Sequence, residues 1–394
     1  MSASEPRSSL MATYSPADPV FVRGVGTELF DEDGKRYLDF IGGLAVTSLG
    51  HAHPVVAAAI AEQAATLSHV SNLYKNALAP EVASTLDRLI GGGGSPAGGQ
   101  VFFANSGAEA NECAIKLARR WAGPGRHRVV AALGSFHGRT LATLAATGQP
   151  EKHAPFAPVP EGFDHVPFDD LGAMETALEA GPAAAVLLEP IQGEGGVNVP
   201  SSDYLGGVRE LCDEHGALLI ADEIQTGLGR TGHWFAFQAQ GLAPDIVTMA
   251  KALGNGMPVG ACWARAEVAA AFGPGDHGST FGGQPLALSA ARATLAVMEA
   301  ADVCGRAQRA GARLGAGLAV LPGVVDVRGA GLLLAARLDG ERAKAVAGRA
   351  LANGLLVNAV RPDAVRVAPP LLVSDAEIDE ALAILRDAVA GEGG

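Results

Sequence analysis

The chain has 394 residues, enough for one large domain and a smaller one. Hydrophobic residues make up 48% of it and charged residues 18%, as in ordinary globular proteins. Its formal net charge of −13 argues against nucleic acid or an anionic membrane as the main partner, because it repels phosphate groups. An acidic ligand must therefore be bound by local cations.

The four cysteines, Cys113, Cys212, Cys262 and Cys304, are far apart and form no C-x-x-C pair, which favours free thiols in a reducing compartment. No close spacing of histidines and cysteines indicates a metal, and none is expected. The N-terminus lacks the apolar core of a signal peptide, and no apolar run resembles a membrane span. We therefore expect a cytoplasmic protein.

Short apolar runs that end in polar residues alternate with helical patterns up to residue 251. Strands are predicted within QVFFANSG, VVAALGSFHG, AAAVLLEP, ALLIADEIQ and DIVTMAK (100–107, 129–138, 183–190, 217–225 and 245–251). Helices are predicted at 107–121 and at 204–216, the second with Gly216 as its C-cap. This alternation indicates an α/β protein with a mostly parallel sheet covered on both faces, where ligands bind beyond the carboxyl ends of the strands.

After about residue 290 the pattern predicts a smaller α+β unit. It contains an Ala-rich helix, short strands and a final amphipathic helix (285–300, 331–338, 354–360, 364–372 and 375–390). The glycine-rich stretch 91–99 is predicted to be a surface loop, since a strand follows it at once. We expect an N-terminal segment that joins the small domain, a large domain and a small C-terminal domain (1–55, 56–295 and 296–394).

Lys251 is the only charged residue from Ile246 through Ala264, and it follows an apolar predicted strand. Burial disfavours the ammonium form of lysine, and the free amine is the nucleophile that forms a Schiff base. A lysine that reaches solvent from the end of a strand explains this run equally well when it is considered alone.

Two other strand ends carry groups suited to pyridoxal phosphate. Asp222 follows the run ALLIA, where its carboxylate could hold a cationic ring nitrogen, although a helix cap or loop acid is the alternative. The Ser106-Gly107-Ala108 turn begins a helix, whose backbone N–H groups suit a phosphate, although such turns are also common scaffolding. It is neither a Walker loop nor a G-x-G-x-x-G turn.

The stretch GSFHGRT adds an aromatic ring and basic side chains. Phe136 could stack on a planar cofactor and Arg139 could bind a carboxylate, whereas His137 is expected to be a packing residue. Each feature alone is ambiguous. A phosphate turn, an aromatic ring, an aspartate and a lysine at the ends of strands in one sheet together predict a pyridoxal-phosphate site.

Ordered motifs from about Tyr14 to the last predicted helix resemble the class III (ω-type) aminotransferases, which use pyridoxal phosphate. They are GGLAVTSLGHAHP (42–54), NSGAEANE (105–112), FHGRT (136–140), EPIQGEGGV (189–197), DEIQTGLGRTG (222–232), AKALGNG (250–256), GSTFGGQPLA (278–287) and VRVAPPLL (365–372). The resemblance implies the aspartate aminotransferase-like fold type I of pyridoxal-phosphate-dependent transferases. This fold has a large, mostly parallel-sheet domain and a small α+β domain.

The resemblance also implies roles in the cofactor site. Lys251 would form the Schiff base and shuttle the proton, Asp222 would pair with the pyridine nitrogen, and Glu189 would support the catalytic centre. The remaining cofactor contacts would be Ser106, Gly107 and Ala108 at the phosphate, Phe136 and Ile224 on the ring faces, Gln225 at the ring 3-oxygen, and Thr280 from the neighbouring subunit. The Thr280 contact implies a homodimer with active sites at the subunit interface.

For the substrates, the resemblance implies two arginine sites. Arg139 would bind the distal carboxylate, and Arg366 would bind the α-carboxylate of glutamate. Glu194 would mask Arg366 while an ω-amine substrate is bound, because an unpaired arginine beside a methylene chain would be costly. Ser279 would be a further substrate contact.

The implied activity transfers the δ-amino group of N2-acetyl-L-ornithine to 2-oxoglutarate in arginine synthesis, by a ping-pong reaction. Leu44 stands where ornithine aminotransferases of the family tend to carry tyrosine, which disfavours free ornithine. Succinylornithine, ornithine, 4-aminobutyrate and other acylated diamino acids stay open as alternatives. A glutamate-semialdehyde mutase, a nucleotide-binding oxidoreductase and a non-catalytic binding protein are weaker alternatives, the mutase because both Arg366 and Glu194 are present.

Overall fold

The computed structural model describes residues 9–391. Residues 1–8, which belong to the predicted N-terminal segment without a signal peptide, and residues 392–394 lie outside this range. The strands are β1 (Phe21–Val25), β2 (Glu28–Asp31), β3 (Arg36–Asp39), β4 (Gly99–Ala104), β5 (Arg128–Ala132), β6 (Phe163–Val166), β7 (Ala183–Leu188), β8 (Leu218–Asp222), β9 (Ile246–Met249), β10 (Gly260–Arg265), β11 (Val324–Ala330), β12 (Leu333–Leu338), β13 (Leu355–Leu356), β14 (Asn358–Arg361) and β15 (Ala364–Val367).

The helical elements alternate with these strands. They are α1 (Gly42–Ala45), α2 (Pro54–Thr66), α3 (Leu78–Ile90), α4 (Gly107–Ala122), α5 (Leu141–Ala146), α6 (Pro150–His153), α7 (Leu171–Glu179), α8 (Tyr204–His215), α9 (Ala266–Ala269), α10 (Pro285–Ala300), α11 (Val303–Ala319), α12 (Ala343–Ala352) and α13 (Asp375–Ala390). Short 3₁₀ helices span Ala154–Phe156, Ala236–Gln240 and Lys251–Gly254. None of the helices in residues 9–391 has the length and apolar character needed to cross a membrane.

Seven strands form the central sheet, in the order β4-β10-β9-β8-β7-β5-β6. β10 runs antiparallel to both of its neighbours, and the other pairs are parallel. Every residue of β7, β8 and β9 is buried, as expected for strands covered on both faces. The α/β class and the mostly parallel sheet predicted from the sequence are confirmed.

The five predicted strands correspond to β4, β5, β7, β8 and β9. All five run in the same direction, so their carboxyl ends meet at one edge of the sheet. The residues that follow them in sequence, from Ser106 after β4 to Lys251 after β9, are therefore brought to that edge.

Helix α4 begins directly after β4 and packs against the sheet through small side chains. Its N-cap, Ser106, accepts a hydrogen bond from the Glu109 backbone N–H at 3.2 Å. The buried face of the helix carries residues at helical spacing, among them Ala110, Ala114 and Leu117. The cap and the small side chains together place the first turn of α4 at the carboxyl edge of the sheet.

Two four-stranded sheets flank this core, in the orders β1-β2-β3-β13 and β11-β12-β15-β14. β13 pairs in parallel with β3, with Leu355 opposite Leu38, so an N-terminal strand and a C-terminal strand share one sheet. A pairing of this kind is needed if the N-terminal segment joins the small C-terminal domain, as predicted. The domain boundaries themselves stay a prediction.

Candidate active site

A cavity of about 460 Å³ opens at the carboxyl edge of the central sheet. The structure brings together here most of the residues predicted to bind cofactor or substrate. Its lining includes Ser106, Gly107, Ala108, Phe136, Arg139, Glu189, Glu194, Asp222, Ile224, Gln225 and Lys251.

Lys251 lies two residues beyond β9, at the start of a 3₁₀ turn, with a φ of 37°. A positive φ is strained for a lysine, and such strain is concentrated at functional sites. Burial lowers the pKa of the Lys251 ammonium; Arg366 acts in the same direction, against nearby carboxylates such as Glu194. The free amine is therefore more populated than in an exposed lysine.

Asp222, the last residue of β8, is buried within a hydrogen-bond network. Asn111 Nδ2 donates to its Oδ2 at 2.8 Å, His137 Nδ1 lies 2.7 Å from the same oxygen, and the Ile224 N–H donates to Oδ1 at 3.2 Å. The Thr248 hydroxyl donates to Asn111 Oδ1 at 2.7 Å, which fixes the orientation of the amide. These contacts hold the carboxylate in one position facing the cavity.

Sequence reasoning missed part of this network. His137 was expected to be a packing residue, but its ring contacts the Asp222 carboxylate. Asn111 and Thr248 were not singled out, although both are fully buried polar residues, on α4 and β9. A polar side chain on the apolar face of a helix or strand is the signal that could have identified them, because a buried polar group needs a partner.

Glu189 follows β7 directly and is buried beside Asp222. Its carboxylate accepts hydrogen bonds from the Phe136 N–H at 2.8 Å and the Gly193 N–H at 3.2 Å. Burial raises the pKa of Glu189 to about 7; His137 opposes this shift, and the Asp222 charge reinforces it. Glu189 can therefore hold or release a proton near neutral pH.

At the start of α4, Ser106 caps the Glu109 N–H, whereas Gly107 and Ala108, whose N–H groups precede the helical hydrogen-bond pattern, line the cavity. A Cβ on Gly107 would lie 2.7 Å from Ile224 Cδ1, so the turn packs directly on that side chain. The close approach requires glycine. A helix N-terminus in this position suits a phosphate group.

Arg366, on β15, is only 2% exposed and forms an ion pair with Glu194, with 2.7 Å between Nη1 and Oε1. It also donates to Gln225 Oε1 and to Asn358 Oδ1, each at 3.2 Å. Burial would raise the pKa of Glu194, but Arg366 and Lys251 outweigh it and lower the pKa. The masked arginine predicted from the sequence is thus paired with the predicted carboxylate.

Arg139 is exposed at the edge of the cavity. Its guanidinium carbon lies 5.6 Å from the centroid of the Phe136 ring, and Lys152 Nζ lies 5.5 Å from the same centroid. Two cations therefore lie near the Phe136 ring, and Arg139 is the one that lines the cavity.

Ser279 and Thr280 are not part of the described lining of the same chain's cavity. Ser279 Oγ accepts hydrogen bonds from Gly282 N–H at 2.9 Å and from Asn105 Nδ2 at 3.1 Å. Thr280 is exposed, and its carbonyl oxygen lies 3.0 Å from His69 Nε2. A contact of Thr280 with the cofactor would need a second subunit and stays a prediction.

The donor set in this cavity fits pyridoxal phosphate. One space is lined by a lysine with a lowered pKa, a buried and hydrogen-bonded carboxylate, and the N-terminus of a helix. They match the aldehyde, the protonated ring nitrogen and the phosphate of this cofactor.

The comparisons with known proteins agree. The family described as aminotransferase class-III matches residues 12–389. An acetylornithine aminotransferase of Corynebacterium efficiens is 47% identical over 380 residues, covering 95% of this chain and 94% of that protein. One of Methanothermobacter thermautotrophicus is 48% identical over 383 residues, or 96% of each chain.

Solved structures show the same relationship. The ornithine aminotransferase of Toxoplasma gondii has a TM-score of 0.91 at 35% identity, covering 97% of this chain and 92% of that one. The acetylornithine aminotransferase of Elizabethkingia anophelis has a TM-score of 0.84 at 32% identity, covering 96% and 95%. The chain belongs to the class III aminotransferases, enzymes that use pyridoxal phosphate. The predicted family and fold type are thereby confirmed.

Proposed function

We propose that this enzyme transfers the δ-amino group of N2-acetyl-L-ornithine to 2-oxoglutarate, giving N-acetylglutamate 5-semialdehyde and L-glutamate in arginine biosynthesis. The Arg366–Glu194 ion pair carries the proposal. One position must accept an uncharged methylene chain in one half-reaction and the α-carboxylate of glutamate in the other. A buried arginine that can be neutralised meets both demands. The relatives named acetylornithine aminotransferases support the choice of substrate.

Pyridoxal phosphate supplies an electron sink that lets a proton leave the carbon bearing the amino group. Within this proposal, Lys251 would hold the cofactor through Nζ and Asp222 would pair with the ring nitrogen. The other residues that would hold it are Gln225 at the ring 3-oxygen, Phe136 and Ile224 at the ring faces, Ser106, Gly107 and Ala108 at the phosphate, and Thr280 of the partner subunit.

The protein's own groups then carry out binding and proton transfer. Lys251 Nζ would take the proton from the substrate carbon, and its lowered pKa favours the basic form that this role needs. Arg139 binds the distal carboxylate of either substrate, and Ser279 is a further contact. Glu189, with its pKa of about 7, holds a proton beside Asp222 and supports the site.

We further propose a homodimer with its active sites at the subunit interface. Leu73, Tyr74 and Phe281 are 86, 74 and 65% exposed in the single chain. They belong to one patch, because Asn72 donates to the Gly282 carbonyl and the rings of His69 and Phe281 lie 5.5 Å apart. Apolar side chains in such a patch mark an interaction surface. A cytoplasmic location stays the expectation from the sequence.

A donor panel tests the proposed substrate. The kcat/KM with 2-oxoglutarate should be highest for N-acetylornithine, and lower by roughly 10- to 200-fold for ornithine, succinylornithine and 4-aminobutyrate, because each differs by a few pocket contacts. Lys251→Ala should abolish turnover with every donor while the folded protein still binds cofactor noncovalently. If another donor had a higher kcat/KM, that donor would take the place of N-acetylornithine as the proposed substrate. An active Lys251→Ala variant would contradict the role of the lysine.

A further inference from the structure

Glu194 stands between two cavities. It lines the active-site cavity and also a second cavity of about 440 Å³. We call the second space the rear cavity; it is lined by Gln149, Lys152, Glu194, Asn358 and Arg361, among others. A side chain with access to both spaces can exchange between them without movement of the main chain.

Of the two ion-pair partners, Glu194 is the one able to move. Its side chain is 31% exposed, whereas that of Arg366 is 2% exposed. Arg366 also keeps two neutral acceptors, Gln225 and Asn358, when the carboxylate leaves. Gly195 packs closely on a neighbouring segment, since a Cβ there would lie 2.6 Å from the Gly134 carbonyl oxygen. Rotation of the Glu194 side chain is the smallest movement that takes the carboxylate away from Arg366.

The rear cavity offers that carboxylate a positive charge. Its lining includes the cations Lys152 and Arg361 and a further carboxylate, Glu151, so it is net positive apart from Glu194. Among the described residues neither cation forms an ion pair. The Lys152 ammonium donates a hydrogen bond to the neutral side-chain oxygen of Gln149 and lies over the Phe136 ring. Burial and Arg139 lower the pKa of Lys152, whereas Glu151 and Glu194 act to raise it. The charge of Glu194 therefore already acts on Lys152 while Glu194 is paired with Arg366. Arg361 is exposed, so solvent screens its charge more strongly.

We propose that Lys152 is a specificity-determining residue that receives the Glu194 carboxylate in the rear cavity when glutamate or 2-oxoglutarate occupies Arg366. The inference rests on the proposed function, since it assigns the position that Glu194 takes when it leaves Arg366. An ion pair with Lys152 replaces part of the attraction that Glu194 loses on leaving Arg366. It thereby lowers the free-energy cost of exposing Arg366 to a dicarboxylate.

A simpler role for Lys152 would be to bind the distal carboxylate together with Arg139, since both cations lie near the Phe136 ring. The two roles differ in what they affect. A distal-carboxylate contact would serve every substrate, whereas a second position for Glu194 serves only ligands whose other carboxylate binds Arg366.

Binding of unreactive acids to the holoenzyme separates these roles. Glutarate is a five-carbon chain with a carboxylate at each end, and pentanoate is a five-carbon chain with a carboxylate at one end. Lys152→Gln should weaken glutarate binding roughly fivefold by titration calorimetry, the size expected for losing a partly exposed ion pair, and leave pentanoate binding within a factor of about two. Arg361→Gln, which removes the other cation of the rear cavity, is the matched control and should leave both affinities unchanged.

A double-mutant cycle tests whether the effect of Lys152 depends on the Glu194 carboxylate. In a Glu194→Gln background there is no carboxylate to receive, so Lys152→Gln should no longer change glutarate affinity. Equal weakening of glutarate and pentanoate, an unchanged glutarate affinity in Lys152→Gln, or an equal effect of Arg361→Gln would each overturn the assignment. Single-turnover rates should agree, with Lys152→Gln slowing the half-reaction with glutamate and sparing that with N-acetylornithine.

Failure of the proposed function would look different. A wild-type enzyme without activity toward N-acetylornithine would contradict the substrate, whatever the binding experiments give. A wild-type enzyme that is active, with a Lys152→Gln variant indistinguishable from it in glutarate binding, would overturn only the assignment of Lys152.

Discussion

Glu189 shows how one buried carboxyl links the active site to stability. Its pKa in the folded protein is about 7, against 4.5 for an exposed glutamate, so the folded state binds more protons between these values. Stability from this group is present below pH 4.5 and lost as the pH rises through 7. Between pH 5 and 8, the free energy of unfolding of the wild type should therefore fall by about 2 kcal/mol more than that of Glu189→Gln.

Denaturant unfolding at several pH values, with both proteins in the same cofactor state, measures this difference. Glu179→Gln is the control, because Glu179 is exposed at the end of α7, and its stability should follow the wild type at every pH. Parallel curves for the wild type and Glu189→Gln would show that burial does not raise the pKa of Glu189.

Single residues also show how far sequence reasoning reaches into the site. Lys251 and Asp222 could be singled out because each is a charged residue at the end of an apolar strand or just beyond it, a position with few structural uses. Asn111 was not, because its partners Asp222 and Thr248 come from strands distant in sequence. The pairing of a buried polar residue is decided by the fold, and one sequence states only that a partner is needed.

Helix α4 is the element whose first turn meets the proposed phosphate site, and its packing makes a specific demand. A Cβ on Gly107 would approach three atoms of Ile224 to between 2.7 and 3.1 Å, so the whole Ile224 side chain would have to shift. Gly107→Ala should weaken binding of pyridoxal phosphate to the cofactor-free protein by about tenfold, as expected from the cost of overpacking. Fluorescence titration measures this affinity.

Gly206, in α8, provides the matched control, because a Cβ there would meet no atom within 4 Å. Gly206→Ala should raise the free energy of unfolding by about 0.5–1 kcal/mol through helix propensity and leave cofactor affinity unchanged. Equal cofactor affinity in the two alanine variants would contradict the importance of the Gly107 contact.

Among the elements, those with strong local patterns were predictable and those defined by distant pairing were not. Helix α13 occupies the predicted range 375–390, and Gly216 ends α8 in a left-handed conformation as expected. β6 (Phe163–Val166) and β10 (Gly260–Arg265) were missed, because FDHV is short and polar and GACWAR follows a glycine-rich run. Their partners in the central sheet make them strands.

The turn Gly42–Ala45 is the clearest case of long-range control. All four of its residues have a positive φ, between 56 and 68°, although Leu44 has a side chain that disfavours it. The Leu44 carbonyl lies 3.4 Å from Gln225 Nε2, and Val46, the first residue after the turn, lines the active-site cavity. No local pattern predicts this conformation, since contacts with the rest of the fold must stabilise it.

At the scale of the whole molecule, the site depends on two sheets. Lys251, Asp222 and Glu189 come from the carboxyl edge of the central sheet, whereas Arg366 comes from β15 in an outer sheet. In the proposed function, the central sheet supplies the groups for cofactor chemistry, and the outer sheet supplies the arginine that distinguishes the two substrates. Such a division would let substrate preference change in this fold without change to the cofactor site.

The proposed dimer leads to a prediction about subunits in combination. If Thr280 contacts the cofactor of the partner subunit, a Thr280→Ala protein should hold pyridoxal phosphate weakly, and a Lys251→Ala protein should be inactive. In a hybrid of the two, both defects fall in one active site, and the other site receives wild-type Lys251 and wild-type Thr280.

Mixing the proteins under conditions of subunit exchange should therefore restore up to roughly a quarter of wild-type activity, because a random mixture of symmetric dimers contains that share of intact sites. Activity assayed at a cofactor concentration that leaves the Thr280→Ala parent largely empty measures the recovery. Mass spectrometry of the hybrid shows whether subunits have exchanged. If activity does not recover although they have, Thr280 acts at the site of its own chain. A wild-type protein that sediments as a monomer would contradict the proposed dimer.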